Sequence, residues 1–392
     1  MRTVALSHYA EVFNGKTPSK AEQRESGRPV LKIRDVDEKG QFRQKYESFV
    51  DPAFAEKFAK KQIKPGDTLI LNAAHNADYV GSKSFFATVE VDGAIATGEW
   101  LIVRPRSDML DARFASHWLT SDQARREIRE LVKGIHLYPK DVARLSIPLP
   151  PLAEQKRIAA ILDQADELRR KRQRAIDRLN QLGQAIFHEM FGDIRNGSKK
   201  FATHKLGEIA DVRLGKMLDK NKSKGGTMRP YLRNANVRWF DFDLSDISEM
   251  EFTDQELDRF SLINGDLLIC EGGEPGRCAV WRGGEREIFY QKALHRARVD
   301  PKIILPEYLG QWFFNAAQYG VLADSVTSAT IAHLTGEKIK KLDIIVPPID
   351  KQRDFVWRLE QVNSLLARYQ SADLQGNTLF SSLQHRAFQG EL

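Results

Sequence analysis

Through the first 150 residues the apolar positions come in short runs bounded by turn residues. Val30-Leu31-Lys32-Ile33-Arg34-Asp35-Val36 reads as a short strand with polar residues interleaved. Ile63-Lys64-Pro65-Gly66-Asp67-Thr68-Leu69-Ile70 reads as a Gly-Asp turn feeding a buried strand. After Pro150-Pro151 the period changes. Ile158, Ile161, Ala165, Leu168, Arg172, Ala175, Leu179, Leu182 and Ile186 follow alternating steps of three and four, a heptad seam interrupted at Arg172. The segment 152–191 holds no proline, so the spacing predicts one helix about 60 Å long at 1.5 Å per residue. Such a helix outruns any small domain of its own, and its stripe needs a long partner.

The same succession then comes round again. Leu6-xxx-Ala10-Glu11-Val12-xx-Gly15-Lys16 is answered by Leu206-xxx-Ala210-Asp211-Val212-xx-Gly215-Lys216. The strand at 30–36 is answered by Tyr231-Leu232-Arg233-Asn234-Ala235-Asn236-Val237, and the Gly-Asp turn by Ile263-Asn264-Gly265-Asp266-Leu267-Leu268-Ile269. Phe114 and Trp118 mark a helix matched by Tyr308 and Trp312, and His188-xx-Phe191 is matched by His385-xx-Phe388. Pro150-Pro151-Leu152-Ala153-Glu154-Gln155 returns as Pro347-Pro348-Ile349-Asp350-Lys351-Gln352. Phe355, Val362, Leu365, Tyr369, Ala372, Leu379 and Leu383 keep the heptad register in the second copy, with Arg358 and Gly376 on seam positions. Gly376 is expected to weaken or bend that helix.

The expected architecture is α+β: two β-rich domains in pseudo-two-fold arrangement, separated by an antiparallel pair of long coiled-coil helices. The expected segments are 1–150, a long helix at 151–192, a second domain at 193–347 and a second long helix at 348–392. The other packing open to the sequence is that each helix folds back on its own domain.

Composition narrows the class. A length of 392 residues suits two or three domains, each with a real core. There is no run of 18 apolar residues and no secretory leader pattern, so a cytoplasmic protein without membrane partners is expected. Two cysteines, Cys270 and Cys278, are too few for a disulfide framework or a cysteine-based zinc site, and no metal is expected. The net charge of +7 leans toward a polyanion without a basic tail, so nucleic acid would have to meet local patches. No nucleotide-binding Gly-rich loop and no His-Glu-x-x-His is present, which argues against an enzyme.

The run Ile147-Pro148-Leu149-Pro150-Pro151-Leu152-Ala153-Glu154-Gln155-Lys156-Arg157-Ile158, leading into a helix that ends near Phe191, resembles the DNA-specificity subunit of type I restriction–modification enzymes. The same plan follows Ile345-Val346-Pro347-Pro348. Tyr231-Leu232-Arg233 and Gly265-Asp266-Leu267-Leu268-Ile269-Cys270-Glu271-Gly272 are similar to that family's target-recognition domain. The likeness covers essentially the whole chain. It implies two target-recognition domains, each reading one half of a split, asymmetric double-stranded DNA sequence. It also implies an antiparallel helical spacer that docks two modification subunits. Those partners use S-adenosylmethionine to methylate adenine N6, and two restriction subunits, where present, use ATP and Mg. The specificity subunit itself performs no chemistry and needs no cofactor. The second copy departs from the pattern, with Asp350-Lys351-Gln352 in place of the usual Leu-x-Glu-Gln.

A bipartite reader needs cations for phosphates and Arg, Lys, Asn or Gln for base edges. In the second copy the candidates are Lys216, Lys220, Lys222, Lys224, Arg229, Arg233, Asn234, Asn236 and Arg277. In the first they are Lys16, Lys20, Lys32 and Arg34, with Asn72, His75 and Asn76 in the loop that stands where 271–277 stands in the second. For helix packing or subunit docking the candidates are Ile158, Ile161, Leu168, Leu179, Leu182 and Ile186 on one helix. On the other they are Phe355, Val362, Leu365, Tyr369, Leu379 and Leu383. Two other readings stay open at this point: a non-DNA coiled-coil scaffold, and a specificity subunit of a modification-only system.

Overall fold

A computed structural model of the chain describes residues 2–106, 108–196, 200–217, 226–284, 287–323 and 333–392. The protein is α+β, and its residues fall into two compact units, 1–173 with 371–392 and 174–370. In the first unit Ala10–Asn14, Trp100–Pro105, Thr68–Leu71 and Ser84–Phe86 form a four-stranded antiparallel sheet in that spatial order. Beside it, Arg28–Leu31 pairs antiparallel with Phe49–Val50 and parallel with Ile95–Ala96. The second unit repeats the plan. Its sheet runs Ala210–Leu214, Leu294–Val299, Leu267–Cys270, Cys278–Val280. Thr227–Leu232 pairs antiparallel with Ser248–Phe252 and parallel with Phe289–Tyr290.

The duplicated Gly-Asp turn has one physical explanation in both units. Gly66 and Gly265 take φ of +94° and +92°, where a side chain would be strained. Asp67 then accepts the Lys64 N–H at 2.8 Å and pairs with Arg104 at 2.6 Å. Asp266 accepts the Ile263 N–H at 2.9 Å and pairs with Arg298 at 2.7 Å. Both carboxylates are buried. Removing either arginine would strand a buried charge, at a cost of about 3–5 kcal/mol.

The long helices are Leu152–Phe191 and Ile349–Gln389, and the second runs through Gly376 without a break. In the first unit Arg157 donates to the Leu392 carbonyl at 2.8 Å and Arg169 to Asn377 Oδ1 at 2.7 Å. In the second, Gly183 faces Leu359 and the rings of Phe187 and Phe355 lie 5.6 Å apart. The helical segments are therefore antiparallel within each unit. Each unit also packs the end of one long helix on its own globular domain: Phe388 on Phe114 at 5.4 Å, and Phe191 on Tyr308 at 5.0 Å. The two seam defects meet. A Cβ on residue 376 would lie 2.2 Å from Arg172 Nη1, so the glycine admits the guanidinium that interrupts the other helix.

The repeated glutamine after each Pro-Pro ties helix to domain. Gln155 donates to the carbonyls of Met109 (3.1 Å) and Pro150 (2.8 Å) and accepts the Asp111 N–H at 2.8 Å. Gln352 donates to Ile303 (3.0 Å) and Pro347 (2.8 Å) and accepts the Leu305 N–H at 2.9 Å. Both amides are buried. The departure at Asp350-Lys351 leaves this three-bond clasp intact.

The observed seam differs from the expected one by a single residue at every other position. Ile158, Ala165, Arg172, Leu179 and Ile186 face inward together with Leu162, Arg169, Ile176 and Gly183. On the second helix Phe355, Val362, Tyr369, Gly376 and Leu383 are joined by Leu359, Leu366, Asp373 and Phe380. Ile158, Phe355 and Val362 are buried, while Ile161, Leu179, Ile186, Tyr369 and Leu383 are half-buried. Leu168, Leu182, Leu365 and Leu379 are exposed. Arg169, Gly183 and Asp373 occupy inward positions that an apolar count passes over, which is why Leu168, Leu182 and Ala372, one residue earlier, look like the seam.

Candidate nucleic-acid interface

In each domain the parallel-paired strand ends in a one-turn 3-10 helix, Ile33–Asp35 in the first and Asn234–Asn236 in the second. Asp35 Oδ2 accepts the Lys32 N–H at 2.8 Å, and Asn236 Oδ1 accepts the Arg233 N–H at 2.8 Å. Burial raises the Asp35 carboxyl above its ordinary range, against the pull of the Lys32 N–H and Arg34. These turns set Lys32 and Arg233 at matching positions, with Arg34 within the turn of the first domain and Asn234 opening the turn of the second.

The four candidate amides divide. Asn72 is buried, with its NH2 on Asn14 Oδ1 (2.9 Å) and the Gly98 carbonyl (3.0 Å). Asn236 is also buried, its NH2 on the carbonyls of Asp243 (2.9 Å) and Asp246 (2.8 Å). Both hold loops together. Asn76 and His75 are exposed, and Asn76 Oδ1 accepts the Asp78 N–H at 3.1 Å. Asn234 is half-buried, donates to the Gly272 carbonyl at 2.8 Å, and leaves its own Oδ1 without a partner.

Five of the eight candidate cations among the described residues carry a carboxylate. Arg34 pairs with Glu47 at 2.9 Å, Arg229 with Glu287 at 2.9 Å, Arg233 with Asp246 at 2.6 Å and Arg277 with Glu274 at 3.1 Å. Exposed pairs such as Arg34–Glu47 contribute about 0–1 kcal/mol, so exchanging the carboxylate for a phosphate costs little. Lys216 is more committed. Its ammonium holds Glu256 at 2.5 Å and the Glu251 carbonyl at 2.6 Å. Burial works against the charge on Glu256, yet the Lys216 hydrogen bond carries its carboxyl below the ordinary value. Lys16 is exposed with its ammonium 5.4 Å from the Phe58 ring, Lys20 is exposed, and Lys32 is half-buried. Lys220, Lys222 and Lys224 lie outside the described residues.

Sequence reasoning passed over Lys83, Glu38, Glu274 and Trp239. Lys83 immediately precedes Ser84, which pairs with Ile70; Arg277 immediately precedes Cys278, which pairs with Ile269. The two cations therefore occupy matching positions in the duplicated sheet. The unequal loops before them, 72–82 and 271–276, hid the match. Trp239 Nε1 donates to Glu274 Oε1 at 2.7 Å from a turn in which Phe240 has φ of +65°. The corresponding turn of the first domain uses Gly40 at +70°. A side chain in that region costs about 1–2 kcal/mol.

Among the described residues no group of three or more His, Cys, Asp or Glu side chains is placed to hold a metal. Among them, too, no helix is long and apolar enough to cross a membrane. Two β-rich domains of one plan, with paired helical segments, define a duplicated recognition protein. The chain belongs to the type I restriction modification DNA specificity domain family, whose model matches residues 1–178 and 198–371. It is thus a DNA-specificity subunit of the type I restriction–modification class, a non-catalytic component. It is 26% identical over 356 residues to the type I restriction enzyme EcoKI specificity subunit of Escherichia coli strain K12, covering 85% of this chain and 76% of that protein. It is 23% identical to the EcoBI specificity subunit of Escherichia coli, covering 99% and 85%. Two solved structures share the fold. One is a chain from work on complex assembly and conformational transition of the type I R-M system, with TM-score 0.59, 18% identity and coverage of 100% and 98%. The other is the type I restriction-modification S subunit of M. genitalium, with TM-score 0.55, 14% identity and coverage of 99% and 96%.

Proposed function

We propose that this chain reads a bipartite, asymmetric double-stranded DNA target, one half-site per domain, and docks two adenine-N6 methyltransferase subunits. The observation that carries the reading is the duplication itself: both domains present polar side chains from a matching 3-10 turn and the segment after a matching strand, Lys32, Arg34 and Asn76 in the first and Arg233, Asn234 and Arg277 in the second. The exposed Arg34 and the half-buried Arg229 and Arg233 can exchange their carboxylate partners for phosphates and so fix register, while side chains beside them meet base edges. S-adenosylmethionine belongs to the partner subunits, and ATP and Mg to restriction subunits where the system has them. The whole assembly would work in the cytoplasm, where the DNA is.

The exposed helix leucines supply a docking surface. In an antiparallel pair the same heptad position on both helices flanks the seam on one side. Leu168 and Leu379 occupy that position in the first unit, and Leu182 and Leu365 in the second. Each unit therefore offers an apolar strip suited to a partner helix.

Methylome sequencing of the source cell, with and without the gene, is the decisive experiment. Loss of adenine methylation at one split motif is the expected result. Unchanged methylation, in a cell that expresses this chain together with a modification subunit, would overturn the reading in favour of a scaffold. DNA affinity should also fall steeply with salt, because phosphate contacts release counterions.

A further inference from the structure

Lys83 and Arg277 share more than a place in the sheet. Lys83 donates to the Ile33 carbonyl at 3.3 Å, and Arg277 Nη2 to the Asn234 carbonyl at 3.1 Å. Those carbonyls are equivalent, each from the first residue of the 3-10 turn. Their strand contacts are equivalent as well: the Leu71 N–H meets the Lys83 carbonyl at 3.0 Å, and the Cys270 N–H meets the Arg277 carbonyl at 2.8 Å. Each cation then holds one glutamate, Glu38 at 3.1 Å in the first domain and Glu274 at 3.1 Å in the second. The glutamates come from different loops, Glu38 from the segment after the 3-10 turn and Glu274 from the hairpin. The two domains thus reach the same cation–carbonyl–carboxylate unit by separate routes.

We infer that this cation is a specificity-determining group in each domain, Lys83 for one half-site and Arg277 for the other. The inference rests on the bipartite DNA reading above. Each cation is only partly reachable, with side-chain exposures of 8% and 18%, but its carboxylate partner opens to solvent at 88% and 47%. The carbonyl fixes the cation at one point, and the carboxylate is the bond that an incoming acceptor on a base edge replaces. Arg277 has five N–H donors, of which one goes to the carbonyl and one to Glu274. The hydrogens left on its two terminal nitrogens suit the paired O6 and N7 acceptors of guanine. Lys83 has three donors and two of them are spent. It offers a single point contact and should discriminate less strictly. In the second domain Trp239 holds the far oxygen of Glu274 at 2.7 Å, which makes Glu274 a positioning residue for the Arg277 fork.

The test uses charge-conserving exchanges, Arg277→Lys and Lys83→Arg, in the full chain co-expressed with its modification subunits in a methylation-free host. Both keep a cation on the carbonyl and change only the donor geometry. Arg277→Lys is expected to relax one guanine position in one half-site, raising methylation of sites altered there by about ten-fold or more. Lys83→Arg is expected to change preference at one position of the opposite half-site. Glu274→Gln and Glu38→Gln, on solvent-facing side chains, should relax the same positions as their cations. Unchanged motifs in all four variants, or both exchanges acting on one half-site, would overturn the inference and leave the pair a structural clasp. A wild-type complex that methylates no split motif would fail the bipartite reading instead.

Discussion

The one-residue offset in the helical seam separates stability from docking. Leu162 is buried between the helical segments of the first unit, and Leu168, two steps along the expected stripe, is 60% exposed. Truncating a buried leucine loses its transfer free energy and leaves a cavity, so Leu162→Ala should cost about 2–5 kcal/mol. At roughly 2–4 °C per kcal/mol for a unit of this size, its melting transition should fall by about 4–20 °C. Leu168→Ser removes little buried surface and should stay within about 0.5 kcal/mol of the wild type. Binding should reverse the order. Leu168→Ser, alone or with Leu379→Ser, should weaken capture of the modification subunit, whereas Leu162→Ala should spare it below its melting range. Differential scanning fluorimetry and titration with the purified modification subunit read the two effects separately. A Leu168→Ser chain that melts as low as Leu162→Ala would refute the assigned register. One that binds the partner unchanged would refute the docking strip.

Three further outcomes follow from particular contacts. Gln352→Leu removes the hydrogen bonds that a buried amide makes to the Leu305 N–H and the Ile303 and Pro347 carbonyls, of which the Pro347 carbonyl lies in a buried residue, at about 1–3 kcal/mol for a buried group left unpaired; it should destabilise the second unit in chemical denaturation by at least that much, and Gln155→Leu should do the same to the first. Burial lowers the pKa of His295 from its ordinary 6.5, partly offset by its hydrogen bond to the Leu334 carbonyl, so the folded chain binds this proton less readily than the unfolded chain. Its stability contribution is complete above about pH 6.5 and is lost as pH falls toward the folded value; a His295→Gln chain should show a shallower decline of Tm between pH 6.5 and 5. One heptad inserted at matched places in both long helices adds about 10 Å and should lengthen the preferred gap between half-sites by about three base pairs, read from the methylated motif; an unchanged gap would remove the helices as its ruler.

What the sequence made legible was whatever depends on period and on repeated local geometry. Helix length followed from spacing and the absence of proline, and the Gly-Asp turns from the left-handed backbone that only glycine takes without strain. The antiparallel partnership followed from two stripes that no small domain could cover. The seam register was half hidden because the inward residues at its second position include Arg169, Gly183 and Asp373. Their inward placement depends on what lies opposite: Arg169 finds Asn377 and stacks 4.4 Å from the Phe380 ring, and Gly183 makes room for Leu359. At the interface the same limit applies more severely. Asn72 and Asn76 are neighbours in one polar loop, yet one is spent on Asn14 and Gly98 while the other faces solvent. Composition treats them alike, because the partner that buries an amide is 26 or 58 residues away. Lys83 was hidden for the opposite reason. Its equivalence to Arg277 is a matter of strand register, and loops of unequal length displace that register in any linear alignment of the two copies. A duplicated fold therefore exposes its shared functional positions only after the strands are paired, when a lysine and an arginine unlike in sequence context reach the same carbonyl.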